Sequence, residues 1–344
     1  MTSRVRIALA VIGAVGFFIA VQVGALWLHA PFDAAGFQAV EDPSDPANAV
    51  LYVGVLLLAT VGMLGLLTYG RTGVLRAGIV LTSGMIAAYV FAVLLPPVVP
   101  LGGAFHLAAV LGGGLVVLGL WAYPEWWVID GAALIMGMGA AALFGISLDV
   151  LPVLVLLVVL AVYDAVSVYG TEHMLTLASG VMELRVPVLI VIPTTTGFSF
   201  RELAASVEDE KPGATDRDSQ REDIDAMESE TGSEEVRTQQ SSKSNPFERD
   251  AFFIGLGDAV MPTILVVTAT AFLETPTFLG IEIASLGAMV GTVLGLVTLL
   301  GLVLRGRPHA GLPLLNGGAI GGYLIGAVLG GLGLLEALGV GSFL

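Results

Sequence analysis

The sequence predicts an all-α polytopic membrane protein of nine transmembrane helices with a cytoplasmic amino terminus. Three observations predict it. Of 344 residues 56% are hydrophobic and only 12% charged, with a mean hydropathy of +0.91; a soluble domain carries about 25% charged residues. Apolar runs long enough to cross a hydrocarbon core of roughly 30 Å recur along the chain. Finally, nine crossings put all 14 Lys and Arg on one face of the membrane, the cytoplasmic one by the positive-inside rule.

The spans fall at 7–28, 47–68, 77–96, 104–123, 127–146, 149–170, 251–273, 281–304 and 312–340. The first follows Arg4 and Arg6 and exceeds the roughly 7–15 apolar residues of a signal-peptide core, so it reads as a span, with a cleaved signal as the alternative. Arg71 and Arg76 separate the second and third; Trp126 and Trp127 anchor the fifth at the interface. Met136 and Met138, in a Gly/Ala-rich run, read as helix packing. The last run opens with Gly311, Pro313, Gly317 and Gly318, and an unwound start is expected there.

Between the sixth and seventh spans the composition changes. Residues 171–185 continue helically, and the β-branched run 186–193 reads as a strand ended by Pro193. Residues 207–246 are charged, Ser/Thr-rich and without aromatics, so disorder is expected. The chain therefore divides into a six-helix part (1–170), a cytoplasmic loop (171–250) and a three-helix part (251–344). Of the net charge of −15, the segment 202–250 carries −9, with 15 acids and 6 bases. Acid excess with only two lysines points to a host at high salt. No basic patch exists to neutralise phosphates, which excludes a nucleic-acid partner. With no cysteine, thiolate metal sites and a Cys nucleophile are excluded.

Two carboxyls stand inside apolar runs, Asp164 in the sixth span and Asp258 in the seventh. A charge near the bilayer centre costs roughly 2.5–3.5 kcal/mol on insertion scales, so such residues pair, face a cavity or do chemistry. Asp258, seven residues into its span, is expected about 10 Å deep, and Asp164 one or two turns below the same surface. Two carboxyls within hydrogen-bond reach share a proton and titrate as a unit. The ionised member can then take a proton from water while the protonated one polarises a carbonyl, which is hydrolysis without a metal. Gly255 and Gly257 open space beside Asp258, Pro262 leaves the Asp258 carbonyl without its helical partner, and Ser167 lies one turn from Asp164. The same two acids also suit a proton or ion site in a transporter or channel, or a buried polar pair in a binding protein.

Other chemistry finds no footing. Glu172-His173 lacks the second histidine of a zinc-protease motif, and Ser83, Ser179 and Ser199 lack the setting of a serine nucleophile. His106 and His173 read as hydrogen-bonded helix residues. Asp130, Asp149, Glu172, Glu274, Glu282 and Glu336 read as solvated interfacial acids.

Tyr163-Asp164, Gly255-Leu256-Gly257-Asp258 and Pro313-Leu314-Leu315 resemble, in order and spacing, the motifs of the presenilin and signal-peptide-peptidase family of intramembrane aspartyl proteases. The family has Pro-Ala-Leu at the third motif; the departure here looks like that of archaeal presenilin homologues. With nine spans and a long loop before the seventh, the likeness covers essentially the whole chain. It implies that Asp164 and Asp258 are a catalytic pair hydrolysing peptide bonds within transmembrane segments of membrane-protein substrates. It further implies that Tyr163, Gly255, Leu256, Gly257, Pro313, Leu314 and Leu315 bind or shape the substrate. No cofactor, metal or obligatory partner subunit is implied. The cytoplasmic amino terminus is presenilin-like, and preferred substrates would have their amino termini outside. The 186–192 run would offer an unwound substrate a strand to join.

Overall fold

The computed structural model describes residues 3–170, 189–193, 251–304 and 310–340. The expected helical continuation over 171–185 and the disorder expected over 207–246 lie outside the described residues, as do Glu172 and His173.

The molecule is mostly helical. Among the described residues, seven helices are long and apolar enough to cross a membrane: α1 (Ser3–Ala34), α2 (Ala47–Thr68), α3 (Thr72–Leu94), α5 (Trp126–Ser147), α6 (Val150–Gly170), α8 (Ile283–Val303) and α9 (Gly311–Leu329). Two apolar helices are shorter, α4 (Leu107–Ala122) and α7 (Leu256–Phe272). A four-residue helix, α10 (Leu334–Ala337), follows α9. His106 is hydrogen-bonded, as the sequence suggests, but stands just before the helix rather than in it: it caps α4 by accepting from the Ala109 N–H while its Nε2 meets the Ala92 carbonyl at 3.1 Å.

Among the described residues, three two-stranded antiparallel pieces interrupt the all-helical expectation: β1 (Pro100–Gly102) with β2 (Phe105–His106), β3 (Leu189–Pro193) with β4 (Ala251–Gly255), and β5 (Thr277–Phe278) with β6 (Ile281–Glu282). The second corrects the seventh span. Residues 251–255, read as helix from their apolar character, are a strand whose register runs from Leu189 opposite Gly255 to Pro193 opposite Ala251. Aromatic and β-branched residues suit a strand as well as a buried helix, and a waiting partner strand decides it. Asp258 therefore lies in the first turn of α7 rather than seven residues inside a helix.

The ninth span needs a correction too. Its start is not unwound: α9 is helical from Gly311, with Ala310 as its extended N-cap. Pro313 falls in the first turn, where a backbone N–H has no intrahelical acceptor and its loss costs nothing.

α7 sits at the centre of the bundle, buried from Val260 to Ala269 except at Met261. α1 packs on it and on α5 through Phe18, Val21, Ala25, Leu28 and Phe32, all fully buried. α2 is peripheral, with only Ala49 buried. α8 and α9 touch backbone to backbone: Gly287, Gly291 and Gly295 face Gly322, Gly318 and Leu314, and a β-carbon on any of the three would strike the facing carbonyl oxygen. Such close approach maximises dispersion between helices where no hydrophobic force drives them together.

Candidate active site

The site forms where α6 ends and α7 and α9 begin. On α6 the buried stripe Val153, Leu156, Leu157 and Leu160 recurs at helical spacing. Asp164, one turn beyond Leu160, continues that stripe toward the bundle rather than the lipid. On α7, Gly255 is extended (φ −63°, ψ 133°) and hands over from β4 to the helix, so Asp258 arrives in the first turn. Each Asp residue is partly buried.

α9 brings them together. The first N–H groups of a helix lack partners within it and suit an anion. The Leu312 N–H donates to Asp164 Oδ2 at 3.0 Å. Gly311 lies against the other carboxylate: a β-carbon there would stand 3.3 Å from Asp258 Oδ2, and one on Gly255 would stand 3.5 Å from the same atom. Asp258 is thus seated between two glycines, one of which, Gly311, precedes the Leu312 N–H that holds Asp164. One turn further along α9, fully buried Asn316 donates from Nδ2 to the Leu157 carbonyl at 3.0 Å. The Asn316 Oδ1 is buried without a hydrogen-bond partner among the described residues.

The sequence-predicted residues separate into two groups. Gly255 joins the carboxyls directly, while Pro313 and Leu314 are partly buried beside them. Gly257 is exposed, with open space where a side chain would stand, and Tyr163 is 45% exposed. Leu256 and Leu315 instead point into the core; Leu256 sits 3.2 Å from where a β-carbon on Gly137 of α5 would stand.

Asp130 departs from its solvated reading. It is partly buried on α5, and its Oδ1 accepts the Val191 N–H of β3 at 2.8 Å. That contact, and the Asn316 bond, leave no local trace in the sequence. With the Val191 N–H turned toward α5, the ladder bonds of the pair run through Ile190–Ile254 and Ile192–Phe252. The backbone groups of Ala251, Phe253 and Gly255 consequently turn away from β3.

A cavity of about 490 Å³ lies at the other end of the bundle, lined by Tyr52, Tyr89, Phe105, Phe144 and Ser147 among others. It holds none of the residues just described.

A family model described as signal-peptide peptidase, presenilin aspartyl protease matches residues 15–332. A solved structure of a presenilin family intramembrane aspartate protease in space group C222 is 34% identical, with a TM-score of 0.62, covering 93% of this chain and 99% of that one. A structure described in the same words in space group P2 is 35% identical with a TM-score of 0.59, covering 92% and 97%. No curated protein matches the chain.

Proposed function

The chain belongs to the signal-peptide-peptidase and presenilin family of intramembrane aspartyl proteases, and on that premise we propose that Asp164 and Asp258 are the pair that carries out its peptide hydrolysis. The observation that carries this reading is their convergence on one backbone stretch, with Leu312 N–H on Asp164 and Gly311 against Asp258.

One carboxyl holds a proton and the other is ionised. The ionised member removes a proton from water as the water oxygen attacks the scissile carbonyl carbon. The protonated member donates to the carbonyl oxygen, giving a neutral tetrahedral diol. Collapse breaks the C–N bond, with a proton delivered to the leaving nitrogen, and the pair returns to one proton shared between two carboxyls. The Leu312 N–H fixes the Asp164 carboxylate through this cycle, so its position need not be reorganised at each step.

A transmembrane helix must unwind to expose a peptide bond. The expectation that 186–192 receives the substrate changes form, since β3 already pairs with β4. The outward backbone groups of β4 take that part: an extended substrate adds along Ala251–Gly255, and the strand leads directly to Asp258. Gly257, Tyr163, Pro313 and Leu314 border the substrate; Leu256 and Leu315 hold the two motifs from behind.

In this reading α4 and α7 complete nine crossings, as two shorter apolar helices of about 24–26 Å. The amino terminus and 171–250 are cytoplasmic in the cell membrane, supported by the basic residues, and the six-helix and three-helix parts each supply one Asp. The protease needs no partner subunit.

Cleavage of a single-span reporter in liposomes, at high and low salt, tests the assignment. Wild type should cut and Asp258→Asn should not. Cutting by both removes Asp258 from the mechanism. Cutting by neither folded protein overturns the catalytic assignment and directs the next assay to proton flux.

A further inference from the structure

Asp130 is a third acid within the apolar part of the chain, and the hydrolysis just described does not use it. It lies 34 residues before Asp164 in sequence, on a different helix, and its Oδ1 accepts the Val191 N–H at 2.8 Å. That bond is the described polar tie between the β3–β4 ribbon and the helical bundle. We propose that Asp130 is a positioning residue that sets the cleavage register, by fixing the height of the ribbon against which an extended substrate lies. This rests on the reading that β4 receives the substrate.

The argument begins with the ribbon. Two strands alone are marginally stable in water and slide or twist readily. β4 is continuous with α7 through Gly255 and Leu256, so one end of it is anchored beside Asp258. β3 has no such continuity with a described helix. It is held by the ladder to β4, by apolar contacts and by Asp130. Its side chains alternate between two cores: Ile190 and Ile192 meet the main cluster, while Val191 enters a smaller one with Leu75, Val80, Leu120 and Ile129. Apolar contacts of this kind tolerate sliding, because they are not directional. A hydrogen bond to a carboxylate is short and directional, and Asp130 stands on α5, a helix packed into the bundle.

Two consequences follow for a substrate strand. First, the outward edge of β3 is occupied at its centre by the Asp130 carboxylate, so an extended chain has only the β4 side to join. Second, β4 is tethered to α7 at Gly255 while its Ala251 end pairs with β3. Asp130 therefore acts through β3 on the direction in which β4 leads away from Asp258, and with it on which substrate residue lies at Phe253 and which peptide bond reaches the carboxyls. A strand that shifts while keeping its faces does so by two residues. Loss of Asp130 should therefore broaden cleavage onto bonds two residues either side of the main one, rather than simply weaken it.

The experiment compares wild type, Asp130→Asn and Asp130→Val in liposomes, with one single-span reporter whose products are resolved by mass. Asp258→Asn serves as the control for the reading beneath, because cutting by that variant would overturn the catalytic assignment separately. Asp130→Asn keeps an oxygen acceptor and should give the wild-type product pattern. Asp130→Val removes the acceptor; bonds displaced by two residues should appear, with KM raised by about tenfold, the worth of one hydrogen bond to a charged group, and kcat at the main bond little changed. An unchanged pattern and KM in folded Asp130→Val overturns the proposal, as does a displaced pattern in Asp130→Asn. If Asp130→Val does not fold, Val191→Pro removes the same bond from the donor side. Displaced products there support the proposal and the wild-type pattern overturns it.

Discussion

Gly311 lies so close to the Asp258 carboxylate that a β-carbon on it would stand 3.3 Å from Oδ2. A contact that tight requires one side to give by a few tenths of an ångström. Here the side that gives carries the proposed chemistry. Gly311→Ala should lower kcat by about ten- to a hundredfold, as small misplacements of catalytic groups do, while the melting temperature stays near wild type. Gly311→Val should abolish cutting. Reporter cleavage beside a thermal melt checks both, and a fully active Gly311→Val would remove the contact from any account of the site.

Replacing either carboxyl with its amide keeps shape and removes the titrating proton. Asp164→Asn and Asp258→Asn should each lose about 10²–10⁴-fold in rate or more, with helix content and melting unchanged. The two losses should not add in the double variant, because the residues act as one unit. A kinetic comparison of the three proteins decides it.

Asn316 separates keying from stability. Its Nδ2 bond to the Leu157 carbonyl is matched by a buried Oδ1 with no partner among the described residues. Leu157 lies within α6, so its carbonyl still serves the helix ladder when Asn316 is replaced, and the unpaired amide oxygen is removed at the same time. Asn316→Leu should thus change stability by about 1 kcal/mol or less, yet lower activity, because α9 loses the side-chain hydrogen bond that keys it to α6 beside Asp164. Equal effects on melting and cleavage would contradict this.

The α8–α9 contact leaves no room for side chains. Gly291→Leu should destabilise by about 3 kcal/mol or more, since the facing group is backbone and cannot swing aside. Gly317→Leu, on the facing helix α9 but with open space around it, should be tolerated. Thermal melts of the two variants in one detergent make the comparison.

At the β5–β6 hairpin, Glu282 accepts from the Thr275 N–H and hydroxyl, and burial, the larger effect, holds its pKa above the ordinary 4.5. The folded state therefore binds this proton more tightly than the unfolded chain. Its contribution is complete below the unfolded pKa and is lost as pH rises through the folded one. Glu282→Gln should flatten that part of the melting-versus-pH curve; an unaltered slope would assign it to other groups.

The sequence exposed the two carboxyls because an acid in an apolar run is conspicuous wherever it stands. Their shared position was legible from crossing parity. Three particulars were not. Ala251–Gly255 is apolar enough for a helix, and only the distant strand at 189–193 makes it β. Pro313 is a helix breaker in general but harmless in a first turn, a distinction that depends on where the helix begins. Asp130 looked like the interfacial acids around it, because its partner is a backbone N–H 61 residues away, a group that every residue type except proline carries.

The bond from Leu312 to Asp164 joins positions separated by 148 residues. During synthesis the first carboxyl enters the membrane long before the helix that orients it has been made. A nascent chain therefore holds both acids, yet lacks the α9 backbone that seats them, until translation has passed Leu312. On the proposed assignment, competence to cut waits until α9 has been made and its backbone packed against α6.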